Sequence, residues 1–194
     1  MSGSVFKVNQ STADQRQNQS ADNTDHKVAL IVITGKSKKP DPHYGGLKGA
    51  PKFPQAPIFT FLWEAYLRSR NAKARVAVLT TLTQISNGGI YDHLAGGIAR
   101  YSTDPKWLAP HFEKMLYDNA QYVSLLTRAW LETEMPLYAT RISQTIEFVL
   151  REMTGESGCF TSSYDADSEG KEGKYYVWSQ DEIQKLLAPD EFEI

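Results

Sequence analysis

Two pairs of adjacent glycines, Gly88-Gly89 and Gly96-Gly97, frame the hexapeptide Ile-Tyr-Asp-His-Leu-Ala near the middle of the chain. Glycine is the poorest helix former after proline, so no helix is expected to run through this stretch, which continues loop-like to Trp107. A second such region, "YGGLKGAPKFPQAP" (44–57), holds three glycines and three prolines in 14 residues. A third, "GESGCFTSSYDADSEGKEGKYYVWS", follows residue 154 and has strand-like ends. Between them, apolar residues recur at helical spacing. The chain must therefore fold as helices joined by long irregular loops, and loops this long in a compact domain are usually functional.

The helical stretches can be placed by their punctuation. Pro57 opens a run to about Arg70, with Ile58, Phe61, Leu62, Ala65 and Tyr66 on one face. A second run, about Ala72 to Ser86, carries Val76, Leu79, Thr80 and Thr83 and stops at Asn87-Gly88-Gly89. The spacing of Phe112, Met115, Leu116, Tyr122, Val123, Leu126 and Trp130 predicts a third helix from about Pro110 to Glu132. Ile142, Ile146, Val149 and Leu150 mark a fourth, from about Leu137 to Met153. Ser179 and Glu182 form a capping-box pattern for a last one, to about Leu187. Residues 1–26, rich in Ser, Gln, Asn, Asp and Thr, read as disordered, and Lys27 to Gly35 as one short strand. The domain division expected is 1–40, poorly structured, and 41–194, folded.

Composition narrows the function. Of 194 residues, 41% are hydrophobic and 23% charged, and the net charge is −2. That is globular composition without the basic field that holds phosphates, so nucleic acid is not an expected partner. No apolar run nears the ~18 residues of a membrane span, and the N-terminus lacks the charged-then-apolar order of a signal peptide. A cytoplasmic location is expected. The single cysteine, Cys159, rules out an internal disulfide, a CxxC pair or a cysteine-rich zinc site, and reads as a small half-buried apolar side chain.

Three constellations carry chemistry. In "IYDHLAGGIARYSTDPKW", Asp92, His93, Arg100 and Tyr101 supply a carboxylate, an imidazole, a guanidinium and a phenol. These suit proton transfer and a polyhydroxylated or anionic ligand; they equally suit a loop that satisfies its own backbone. In "WLAPHFEKMLYDNAQ" (107–121), helical geometry would put His111, Lys114 and Asp118 on one polar stripe and Glu113 and Tyr117 on the next. Such a helix would face a polar cavity as well as a core, or merely solvent. At the helix start, His111 would be held neutral by nearby N–H groups. In "YDADSEGKEGKYYVW", Asp165, Asp167, Glu169 and Gly170 copy the first positions of a calcium loop, but the twelfth is Tyr176 instead of a glutamate. No metal is expected; carboxylates beside Tyr176 and Trp178 fit sugar recognition, or an Asx-rich turn.

"GAPKFPQ" (49–55), residues 87–121 and "SSYDADSEGKEGKYYVWSQDEI" (162–183) resemble the thioredoxin-domain-containing family that includes spermatogenesis-associated protein 20. Members carry a thioredoxin-like domain followed by an α/α toroid of paired helices, similar to those of N-acylglucosamine 2-epimerases and six-hairpin glycosidases. Here residues 1–40 do not look thioredoxin-like, and Leu47-Lys48, Ala95 and Ala109 stand where the family has Phe-Gly, Gly and Val. The resemblance implies an all-α fold, a partial α/α toroid with long Gly-rich loops and small β-hairpins. It places Asp92, His93, His111, Asp118, Asp165 and Asp167 as cleft acids and bases. Arg100, Tyr101, Trp107, Glu113, Lys114, Tyr117, Tyr176 and Trp178 would hold a sugar or sugar-derived molecule. No cofactor is implied. The rival expectation is a non-catalytic module or inactive gene fragment that self-associates through toroid faces left exposed.

Overall fold

A computed structural model describes residues 39–192. The segment expected to be disordered (1–26) and the strand expected at 27–35 lie outside the described residues. Four long helices form the body: α1 (Ala56–Ser69), α2 (Ala72–Asn87), α3 (Leu116–Thr133) and α4 (Pro136–Arg151). Pro57 and Pro136 stand in the first turns of α1 and α4, where a missing N–H costs nothing. The Asn71 side chain caps α2 by accepting from the Lys73 and Ala74 N–H groups. With only two residues between partners, α1 pairs with α2 and α3 with α4, and the two hairpins stack through α1 on α3 and α2 on α4. The short α5 (Gln180–Leu186) has the expected capping box between Ser179 and Glu182, and α6 (Pro189–Phe192) follows it. Among the described residues no helix is long and apolar enough to cross a membrane.

The core lies between the hairpins and under the loop that joins them. Phe59, Leu62, Trp63, Val78, Leu82, Ile85, Leu126 and Tyr138 are buried in it, with Ile90, Tyr91, Ile98 and Trp107 from the loop. The phenols that enter it find partners: Tyr122 Oη is 2.7 Å from Ser86 Oγ, and Tyr138 Oη donates to the Leu79 carbonyl at 3.2 Å. The stripes of α2 and α4 are rotated from those expected, while Leu62, Ala65 and Tyr66 of α1 are buried as expected. Val76 is 59% exposed while Ala74 and Val78 are buried, and Ile146 and Leu150 of α4 are 42% and 60% exposed while Thr145 and Phe148 point inward. Both α3 and α4 carry apolar residues on more than one face, so period alone does not choose the inner one.

Helix α3 starts at Leu116, six residues after the expected start at Pro110. Residues 110–115 are extended because their backbone is claimed by other segments. Strand β1 (Tyr101–Ser102) pairs antiparallel with β2 (Pro110–His111), and β3 (Lys114–Met115) with β4 (Ser163–Tyr164). A third pair, β5 (Asp167–Ser168) with β6 (Lys171–Glu172), closes around Glu169-Gly170. The second glycine pair seats the central loop on α4. Gly96 and Gly97 have φ of +88° and +82°, and a Cβ there would lie 2.4 Å from the Gln144 carbonyl oxygen and 2.6 Å from the Phe148 ring. Cys159 is exposed, not half-buried as expected, because it rides on a turn where the Gly155 N–H bonds its carbonyl.

Candidate functional site

The extended course of residues 111–114 sends alternate side chains to opposite sides. His111 and Glu113 meet Tyr101 and Arg100; Phe112 and Lys114 meet Tyr176. The expected helical stripe of His111, Lys114 and Asp118 therefore does not exist. The residues it grouped fall into two sets.

On the first side the His111 ring stacks on Tyr101, centroids 4.7 Å apart and planes 14° from parallel. His111 Nδ1 is 2.6 Å from Glu172 Oε1 on β6. A carboxylate only accepts, so Nδ1 carries the hydrogen. Nε2 lies 3.9 Å from Glu113 Oε2, beyond hydrogen-bonding distance, and is open. Glu113 is engaged by Arg100 at 2.7 Å. Asp118, in the first turn of α3, completes the set. Burial pushes its carboxyl up to about 6; the charge of Glu113 adds to this, while Arg100 and a hydrogen bond from Tyr117 oppose it. The expectation that His111 is neutralised by a helix start is overturned: the residue is in β2, and its tautomer is set by Glu172.

On the second side Phe112 stacks on Tyr176 at 5.2 Å and covers Gly173. Lys114 is almost wholly buried. Its ammonium donates to Asp92 Oδ2 at 2.7 Å and to the Gly96 carbonyl at 3.0 Å, and sits 4.3 Å from the Phe148 ring centroid. Burial pushes the Lys114 ammonium below the ordinary lysine range, against the pull of Asp92. Burial also works to raise Asp92, but the Ala95 N–H, Lys114 and the Leu94 N–H together hold its carboxyl below the usual range. Above this pair opens a cavity of about 360 Å³, lined by Lys114, Phe148, Glu152, Tyr164, Asp165, Asp167 and Tyr176 among others. Asp165 also makes the Asx turn its segment suggested, accepting the Asp167 N–H at 3.1 Å. Among the described residues no three His, Cys, Asp or Glu side chains form a cluster that could hold a metal.

Three expected site residues stand apart. His93 Nε2 contacts the Gly88 carbonyl and Nδ1 contacts Arg141 Nη2, each at 3.0 Å. A carbonyl only accepts and a guanidinium only donates, so this imidazole is a neutral Nε2–H tautomer with both nitrogens used. It braces the loop against α4 and cannot act as a free base in this arrangement. Trp107 is fully buried, its indole N–H donating to the Tyr44 carbonyl at 2.6 Å, and so belongs to the core. Trp178 is 52% exposed and lines neither set. Three residues that matter were not singled out from sequence: Glu172, Glu152 and Phe148. For Glu172 a signal existed, since the Glu169-Gly170 turn places it opposite Asp167 across a hairpin.

No family model matches the chain. It is 42% identical over 157 residues to spermatogenesis-associated protein 20 of Mus musculus, a match covering 76% of this chain and 20% of that protein. The Homo sapiens protein of the same name is 41% identical over the same shares. An uncharacterized Caenorhabditis elegans protein is 31% identical over 177 residues, covering 85% of this chain and 24% of its own. The fold is similar to that of a sugar epimerase from a ruminal bacterium, with a TM-score of 0.58 and 16% identity over 74% of this chain and 43% of that one. At that identity the likeness shows the fold alone: paired helices laid out as part of an α/α toroid. The chain spans about a fifth of the mammalian proteins it matches, and over that span it is a homologue of spermatogenesis-associated protein 20.

Proposed function

We propose that this region carries one wall of a carbohydrate-processing cleft, and that His111, oriented by Glu172, moves a proton at a carbon beside a sugar carbonyl, as an epimerase does. The observation that carries this reading is the His111 geometry: one ring nitrogen fixed 2.6 Å from a carboxylate, the other open, the ring held flat on Tyr101. Nε2 would take the proton as the carbonyl oxygen gains charge beside Arg100. The Asp118 carboxyl, protonated up to about pH 6, would return a proton to the carbon. A glycosidase would instead need two carboxyl groups flanking the scissile bond, and His111 would then stand idle. The test is proton exchange into reducing sugars in D2O, followed by NMR, with this chain and a full-length relative. Exchange should fall about 100-fold or more in His111→Gln and about tenfold in Glu172→Gln. A panel of reducing sugars that shows no enzyme-dependent exchange with either protein sinks the reading.

A second reading is favoured by one observation. Ile146, Leu150 and Phe160 are 42%, 60% and 54% exposed and, with Leu116, Val123 and Val149, line an apolar groove of about 330 Å³ along α3 and α4. Such a face suits self-association. Light scattering on the purified chain should then give a mass above 21.8 kDa that falls on Leu150→Glu; a monomer at all concentrations contradicts it.

A further inference from the structure

The cavity on the Lys114 side belongs to no step of the proposed proton transfer, and its chemistry differs from that of the His111 side. Its apolar walls are the Phe148, Tyr164 and Tyr176 rings, and its polar rim is Glu152, Asp165 and Asp167. Lys114, which lines it, is paired with Asp92 at 2.7 Å, and Arg151 is paired with the lining Glu152 at 2.7 Å. Asp165 and Asp167 form no ion pair among the described residues, although both line the cavity. A concave space with aromatic walls and two uncompensated carboxylates attracts a cation borne on an apolar body. Burial is the first cause that pushes Tyr176 up to about 12 and that raises Tyr164; the charge of Asp92 adds to the former and that of Glu152 to the latter.

We infer that this cavity binds an organic ammonium ion, with Asp165 and Asp167 at the charge and the Tyr164 and Tyr176 rings against the body that carries it. A neutral ligand of the same shape gains only the ring contacts. An anion meets the two free carboxylates and finds Lys114 already engaged. The β5–β6 hairpin links this cavity to the His111 side of residues 111–114, since Asp167 lines the cavity and Glu172, opposite it, holds His111.

The test uses matched probes on the whole chain at low salt, read by calorimetry and by NMR shifts of the tyrosine rings. Choline is compared with its uncharged isostere 3,3-dimethylbutanol, and glucosamine with N-acetylglucosamine. At least one ammonium probe should bind about tenfold or more tighter than its neutral counterpart, shift Tyr164 and Tyr176, and weaken as salt is raised. Asp165→Asn with Asp167→Asn, which keeps the Asx-turn acceptor, should remove most of that preference, while His111→Gln should leave it intact. Equal binding of charged and neutral probes overturns the inference, as does no binding by any probe or an unchanged preference in the double variant. None of these outcomes bears on sugar proton exchange at His111, so this inference and the proposed reaction fail separately.

Discussion

The two sides of residues 111–114 handle charge in opposite ways. Lys114 and Asp92 form a closed pair: side-chain exposures are 3% and 16%, and both partners are further bonded to the loop backbone. His111, Glu113 and Arg100 form an open set, with side-chain exposures of 24%, 22% and 42% and one imidazole nitrogen unused. A buried pair fixes structure because either partner alone would be stranded; a half-exposed set can exchange protons with a ligand or with water. One extended segment thus serves both ends by alternation, which a helix could not do with adjacent residues.

The largest expected effect breaks the closed side. Lys114→Met leaves the Asp92 carboxylate without its counter-charge, and losing one partner of a buried pair costs about 3 kcal/mol or more. Urea denaturation should show that loss, and adding Asp92→Asn should recover about 1 kcal/mol or more of it, because the Asn oxygen still accepts from the Leu94 and Ala95 N–H groups. On the open side, Arg100→Met should cost under about 1 kcal/mol, as half-exposed ion pairs do. If both changes cost the same, the contrast between the sides is wrong.

This contrast is also where the sequence was least legible. The four helices were visible from period, prolines and glycines, and the ends of α1, α2 and α4 fell within about two residues of their expected places. Residues 110–115 were not, because Phe112, Met115 and Leu116 satisfy a helical spacing that the β1–β2 and β3–β4 pairings override. Those partners come from residues 101–102 and 163–164, so no local window could reveal them. The wrong period then grouped His111 with Lys114. The site residues drawn from the two loops fared according to side-chain environment: His93 and Trp107 carry reactive or aromatic groups whose bonding capacity is spent on Gly88, Arg141 and Tyr44. Saturation of that kind depends on distant backbone and cannot be read from residue type.

A last, small effect sharpens the open side through pH. The folded state raises Asp118 from 3.8 to about 6, so between those values the native protein binds a proton that the unfolded chain does not. Protonated Asp118 therefore contributes stability that is fully present below about pH 4 and lost as pH rises through 6. Asp41, Asp92 and Asp104 are shifted the other way and add stability as pH rises through 4, so the wild-type curve alone mixes both signs. Asp118→Asn separates them. The stability of wild type relative to this variant should fall by on the order of 1 kcal/mol between pH 4 and 7, a figure kept small because water screens a half-buried carboxyl. Chemical denaturation at both pH values measures it. A constant difference would mean that Asp118 titrates as an ordinary carboxylate, and that the open side lacks the acid its proton chemistry requires.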